Sequence, residues 1–243
     1  MIGAIVACRM TSSRLPGKTL LVVQGKSLLG LLIERLRQSQ TLEKIVVATT
    51  NEVEDNPIEE ACSLLKIPCY RGSLDNVLER FVGAAEENDI DVAVRVTGDC
   101  PLIDPEVVDQ VVNNFLSEVS DYTSNVLERS FPRGLDAEVV KVAVLKEILD
   151  NNPSEQEKEH VTFGVYNNKG KYVCHNVLPS KELNRPELRL CVDTKDDFKL
   201  VSNIYDALYQ NNSEFRTKDV IQLLDDNKQW LEINSHVEQK KVT

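Results

Sequence analysis

Aromatic side chains are scarce in this chain of 243 residues, at 5% of the total with a single tryptophan. Histidine is rarer still, and three scattered copies make no metal cluster by spacing. No apolar run approaches the roughly 20 residues needed to span a bilayer. The six cysteines (Cys8, Cys62, Cys69, Cys100, Cys174, Cys191) include no C-x-x-C pair, which removes the usual zinc and redox spacings. They lie mostly in apolar strand-like runs and no signal peptide precedes them, so buried, reduced thiols in a cytoplasmic protein are expected. Positive charge is also in deficit: 28 Lys and Arg against 39 Asp and Glu give a net charge of −11. That balance argues against nucleic acid or an anionic membrane as a partner. Two phosphate-binding signatures are missing as well. There is no G-x-G-x-x-G. Gly17-Lys18-Thr19 and Gly25-Lys26-Ser27 imitate the end of a P-loop, but Ser12 and Leu20 stand where its first glycine is required.

Within the acidic whole, residues 1–50 hold seven Lys/Arg against two Glu, a net of +5 that suits a small polyanion. The length allows one large α/β core. Strand-length apolar runs at 2–8, 44–50, 68–72 and 91–99 alternate with helical patterns at 27–40, 56–67, 74–88 and 104–118. Asn56 and Asp104 read as caps, each followed by a proline that opens its helix. This alternation predicts an α/β protein with a mostly parallel sheet sandwiched by helices in three layers. The rhythm changes after 119, where strands are expected at 121–126, 136–141, 171–177 and 188–193. Helices are expected at 142–150, 155–167, 194–210 and 217–227, with a polar tail after Trp230. No linker separates two domains. Residues 1–210 read as one domain with an inserted arm near 119–180, and residues 211–243 as a helical extension with a polar tail.

The residues that carry chemistry sit at strand ends. The first strand runs into CRMTSSRLPGK, at the carboxyl end where open α/β sheets place their ligands. Ser12, Ser13 and the loop's backbone N–H groups are able to cradle phosphate oxygens. Arg9 and Arg14 offer planar forks, and Pro16-Gly17 turns Lys18 back toward the same place. The third long strand ends in Thr97-Gly98-Asp99, a carboxylate beside a glycine that lets a ligand approach and a good magnesium ligand. Asp193 ends the expected strand at 188–193 and could share that metal if the two strands are neighbours. Asp196 and Asp197 are expected only to complement a helix dipole. Weaker signals are Arg133, Asp136 and Glu138 around a turn, and Glu159 and His160 on a helix.

Six segments in order, RMTSSRLPGK, RGSLDNVLER, TGDCPLIDP, PRGLDAEV, EHVT and VDTKDDF, resemble the signatures of the cytidylyltransferases that make CMP-activated sugars. The resemblance covers residues 1 to about 205. It is strongest to the branch of spore coat polysaccharide biosynthesis proteins and more distant to the CMP-Kdo and CMP-sialic acid synthetases. It implies a sandwich of the nucleotide-diphospho-sugar transferase type, usually homodimeric, using CTP and Mg²⁺. It further implies that Arg9, Ser13, Arg14 and Lys18 hold the CTP phosphates, with Ser73, Arg80 and Thr97 at the nucleotide. Asp99 and Asp193 would hold magnesium, and Arg14, Lys18 and Asp99 would serve catalysis. Arg133, Glu138, Glu159 and His160 would face a small acidic sugar-like acceptor. Cys8 stands where a polar residue usually precedes the first arginine. A glycosyltransferase of related fold and a nucleotide-binding subunit without catalysis remain the competing readings.

Overall fold

The computed structural model describes residues 1–168 and 170–239. Its first half runs β1 (Ile2–Ala7), a hairpin of β2 (Val22–Val23) and β3 (Lys26–Ser27), α1 (Leu28–Leu36), β4 (Lys44–Thr50) and α2 (Asn56–Leu65). It continues through β5 (Cys69–Gly72), α3 (Val77–Glu87), β6 (Val92–Thr97) and α4 (Pro105–Ser117). The second half supplies β7 (Tyr122–Ser124), β8 (Glu138–Lys141), α5 (Val142–Asp150), α6 (Glu155–Glu159) and α7 (Phe163–Tyr166). β9 (Cys174–Asn176), α8 (Lys195–Leu208) and α9 (Thr217–Asp226) complete it.

The large sheet has the order β5-β4-β1-β6-β8-β7-β9, and only the pairings made by β8 are antiparallel. β1 is a continuous apolar run because it is buried on both faces. Ala4 and Val6 join one core with α1, α2 and α4, while Ile5 joins a second core with α3 and α5. Fully burying one such Ile or Val side chain contributes about 1.5–3 kcal/mol. From β1 the chain moves outward to β4 and β5, then returns to place β6 on the other side of β1. That reversal opens a crevice at the carboxyl ends of β1 and β6, the place where doubly wound sheets hold ligands. The two strands stay in register to Ala7 and Thr97, and the Gly98 N–H continues to the Ala7 carbonyl at 3.0 Å. A Cβ on Gly98 would lie 2.5 Å from that of Cys8, so glycine is what lets the strand ends approach.

A third core packs Leu15, Leu28 and Leu102 against α8 and against Phe215, Val220, Ile221 and Leu224. No helix among the described residues is long and apolar enough to cross a membrane.

Four expectations change. Asn56 is the first helical residue rather than the cap; Asp55 holds the cap position, and its carboxylate is drawn away to Thr50 and to the Met10 N–H. The helix expected over 155–167 breaks into α6 and α7 at Val161, whose φ of +23° is unusual for a β-branched residue. Ser124 ends β7 and Glu138 begins β8, so both strands are shorter than their patterns suggested. Residues 188–193 are extended but form no strand of the sheet. Leu188, Leu190 and Val192 face the third core, which accounts for the alternation. The backbone there bonds loops instead: Leu190 N–H to the Arg133 carbonyl at 2.7 Å and Val192 N–H to the Asp99 carbonyl at 2.8 Å.

Candidate active site

The loop after β1 is shaped by its own backbone. The Met10 carbonyl accepts from Ser12 N–H at 3.0 Å and from Gly17 N–H at 2.8 Å, closing the loop on itself. Gly17 takes a left-handed φ of +71°, open to glycine at no steric cost. A short 3-10 turn over Lys18–Leu20 follows, pinned by the buried Thr19. Lys18 is thereby aimed back at the strand ends. Its Nζ donates to Asp99 Oδ2 at 3.0 Å and to Asp193 Oδ1 at 2.8 Å.

Asp193 reaches this point because the Val192 N–H is tied to the Asp99 carbonyl, which sets the two aspartates side by side. Its Oδ2 is shared between Arg14 at 2.8 Å and Arg189 at 2.7 Å. Burial pushes the Asp193 carboxyl up, but Lys18, Arg14 and Arg189 outweigh it and hold it below the usual range. Burial likewise draws the Lys18 ammonium down, and Asp99 with Asp193 reverses the sign, so it stays charged. Asp197 does more than complement a helix dipole. Fully buried, it accepts from Arg189 Nε at 2.9 Å and from the N–H groups of Asp193 and Thr194 at 3.0 Å each.

Three contiguous cavities surround this centre. The first, about 220 Å³, is lined by Arg9, Ser12, Ser13, Arg14, Lys18 and Asp99. The second, about 580 Å³, is lined by Arg9, Leu74, Asp75, Arg80, Glu159 and His160. The third, about 900 Å³, is lined by Arg95, Asp99, Arg129, Arg133, Glu138 and His160. Cys8 and Arg9 separate the first from the second, Thr97 and Asp99 the first from the third. His160 borders both larger cavities.

The sequence-derived candidates therefore gather at one place, with one exception and one change of role. Ser73 lines none of these three cavities. Its hydroxyl closes the turn before α3 by accepting the N–H of Asn76, the helix cap, at 3.1 Å, and its carbonyl accepts Arg80 Nη1 at 2.6 Å. Arg80 is buried, and its Nε has no partner among the described residues. Glu138 faces the third cavity, but protein donors occupy both of its oxygens. Arg95 pairs with one, and the Tyr122 and Thr162 hydroxyls donate to the other at 2.6 Å each. Burial pushes the Glu138 carboxyl up; Arg95 and the two hydroxyls pull it below its ordinary value. Its role in the cavity is to fix the floor. Arg133, by contrast, makes no side-chain hydrogen bond or ion pair to the described residues.

Arg95, Arg129, Arg189 and Asn234 were not singled out in the sequence. Arg95 left a signal, a lone charge inside VAVRVT, which demands a partner when the strand is buried. That partner is Glu138, directly across the β6–β8 pairing. Among the described residues no group of three or more His, Cys, Asp or Glu is placed to hold a metal. What exists is a pair of carboxylates converging on one ammonium. A divalent ion would fit that donor set only with phosphate oxygens and water completing its shell, the usual pattern for magnesium.

A family model described as cytidylyltransferase matches residues 3–240. The chain is 34% identical over 215 residues to the spore coat polysaccharide biosynthesis protein SpsF of Bacillus subtilis, covering 86% of this chain and 87% of that protein. A cytidylyltransferase structure from Leptospira borgpetersenii superimposes with a TM-score of 0.89 at 30% identity, over 99% of this chain and 98% of that one. A CMP:2-keto-3-deoxy-manno-octonic acid synthetase solved with CTP shares the fold, with a TM-score of 0.62 at 17% identity over 84% of this chain and 98% of that one.

Proposed function

The chain belongs to the cytidylyltransferase family and is a CTP-dependent nucleotidyltransferase, and from that premise we propose that it transfers CMP from CTP to a small acidic sugar-like acceptor. Pyrophosphate leaves as the acceptor oxygen attacks the α-phosphorus in line. The observation that carries this reading is the junction itself. A small cation-lined cavity holding Lys18, Arg14 and Ser13 opens through Asp99 into a larger cavity that presents Arg133, which has no side-chain partner among the described residues.

In this reading Arg9, Arg14 and Lys18 bind the triphosphate, with the Ser13 hydroxyl and the loop N–H groups donating to its outer oxygens. Charge builds on the phosphoryl oxygens and the leaving group, and cations already in place stabilise it without reorganising. Lys18 and Arg14 now neutralise Asp193 and must turn from carboxylate to phosphate when the nucleotide binds. Thr97 and Asp99 mark the boundary where nucleotide and acceptor meet. The nucleoside occupies the cavity of Arg80 and Cys8, which Glu159 also borders rather than the acceptor cavity; Arg133 takes the acid group of the acceptor, and His160 stands at the edge of both. Asp99 and Asp193 are the residues that would hold magnesium, which when bound supplies further neutralisation of the phosphates. A role in surface polysaccharide assembly belongs to the same reading, supported by the likeness to SpsF; with it we propose a cytoplasmic homodimer. Its mass in solution checks the assembly.

The deciding experiment is a pyrophosphate-release screen of CTP, with magnesium, against a panel of eight-carbon, nine-carbon and smaller acidic sugars. Release with one acidic acceptor and not with its neutral analogue is the expected result. Release with none of them, or equal release with neutral sugars, would remove the acceptor assignment.

A further inference from the structure

Beyond α9 the chain returns to the site. A 3-10 turn over Lys228–Glu232 sets Trp230 and Leu231 against the third core, and Asn234 then points inward. Only 4% of Asn234 is exposed. Its Nδ2 donates to Asp197 Oδ1 at 2.8 Å and to the Arg189 carbonyl at 3.0 Å. Asp197 grips Arg189 Nε, and Arg189 Nη2 holds Asp193 Oδ2 at 2.7 Å. The remaining arm of Arg189, Nη1, donates to Gln239 Oε1 at 2.5 Å. Gln239 also borders the large acceptor cavity. A continuous hydrogen-bonded path thus joins the C-terminal segment to the aspartate that faces Lys18.

The path has a physical use. Lys18 and Arg14 are the two cations that a triphosphate would draw away from Asp193. Arg189 is buried behind that aspartate and does not line the phosphate cavity, so it is the partner that stays. A buried guanidinium without fixed acceptors would be free to follow its neighbours. Asp197 supplies those acceptors and Asn234, donating to Asp197, fixes their orientation; buried charged groups are costly to leave unpaired.

We propose that residues 234–239 are a positioning element for nucleotide binding: Asn234 and Asp197 fix Arg189, and Arg189 holds Asp193 in place when Lys18 and Arg14 turn to the triphosphate. The proposal rests on the CTP reading above. Linkage adds a requirement, because a segment that tightens nucleotide binding is itself tightened by the nucleotide.

The test uses the full chain and CTP with magnesium as the probe. Asn234→Asp keeps the shape of the side chain but turns an acceptor toward Asp197. It is expected to weaken CTP–magnesium binding by about tenfold, the effect of one lost charge-assisted hydrogen bond. Gln239→Ala sits at an exposed end and is expected to weaken it about twofold to threefold. Amide exchange across 234–239 is expected to slow when CTP is added to the parent protein. A lower melting temperature with unchanged CTP affinity in both variants, or amides that ignore CTP, would overturn the proposal. Should Asn234→Asp fail to fold, Gln239→Ala and the exchange measurement decide. A parent protein that gives no heat with CTP sinks the CTP reading and this one together. A parent that binds CTP as well as both variants do sinks this one alone.

Discussion

The two ends of the crevice, proposed above as the phosphate end and the acceptor end, solve the same problem of holding charge near a sheet in opposite ways. At the phosphate end the charges saturate one another: Lys18 bridges Asp99 and Asp193, and two arginines share the second oxygen of Asp193. At the acceptor end the charges are layered. Glu138 and Arg95 neutralise each other in the floor, while Arg133 stands above them without a side-chain partner among the described residues. The difference teaches which interactions a ligand must replace. A triphosphate has to compete with carboxylates for Lys18 and Arg14, so its affinity depends on how well those carboxylates are held or neutralised afterwards. An acid group meeting Arg133 would displace no side-chain partner among the described residues.

The comparison is broken most severely by attacking the floor. Glu138→Gln leaves Arg95 charged and largely screened from water beside a neutral amide, at an expected cost of up to about 3–5 kcal/mol of stability by denaturant titration. The sign with pH follows from the lowered carboxyl of Glu138. Its contribution is complete above the ordinary value of 4.5 and fades as pH falls through the lower value of the folded state. As pH falls from 4.5 through the lower value of the folded state, the parent should therefore lose stability more steeply than Glu138→Gln does, and parallel acid profiles would show that the ion pair contributes little.

Next in size is the phosphate end. Lys18→Ala is expected to slow pyrophosphate release by about 100- to 1,000-fold while far-UV circular dichroism stays unchanged. Turnover at the parental rate would remove Lys18 from the catalytic group. A smaller effect sharpens the contrast. Arg133→Ala is expected to raise the acceptor KM about tenfold with CTP affinity untouched, as befits one half-buried charged contact. A matching loss of CTP affinity would mean that the two ends are not separate. The smallest effect is expected at Ser73→Ala, where one lost turn hydrogen bond costs about 1 kcal/mol of stability. CTP affinity should change less than twofold, and a large change there would return Ser73 to the nucleotide pocket.

Much of the phosphate end was legible beforehand, because its chemistry is local. CRMTSSRLPGK carries a glycine that needs left-handed backbone, two serines and three cations within one loop, and TGD ends a strand recognisable by its apolar run. Asp193 was placed correctly beside Asp99 on a mistaken premise. Its segment alternates like a strand because Leu188, Leu190 and Val192 are buried, yet its partners are loop carbonyls rather than a neighbouring strand. Alternation reports which side of an extended chain is buried and says nothing about what the backbone bonds. The break at Val161 escaped for a related reason. Helical spacing of apolar residues continues across it, and only packing of Val161 into the second core holds the unfavourable φ.

The sequence by itself determined the α/β class, the strand-end positions of the reactive side chains and the family, since periodicity and turn chemistry act over a few residues. Tertiary structure alone decided that Glu138 is a fixed floor rather than a free carboxylate. It also brought Arg189, Asp197 and Asn234, the last of them in a stretch that reads as a polar tail, behind the aspartate facing Lys18. Those roles depend on which buried donor meets which buried acceptor across 37 or more residues of chain in two of the three decisive contacts. Pairings of that kind are set by desolvation and packing, and no local pattern encodes them.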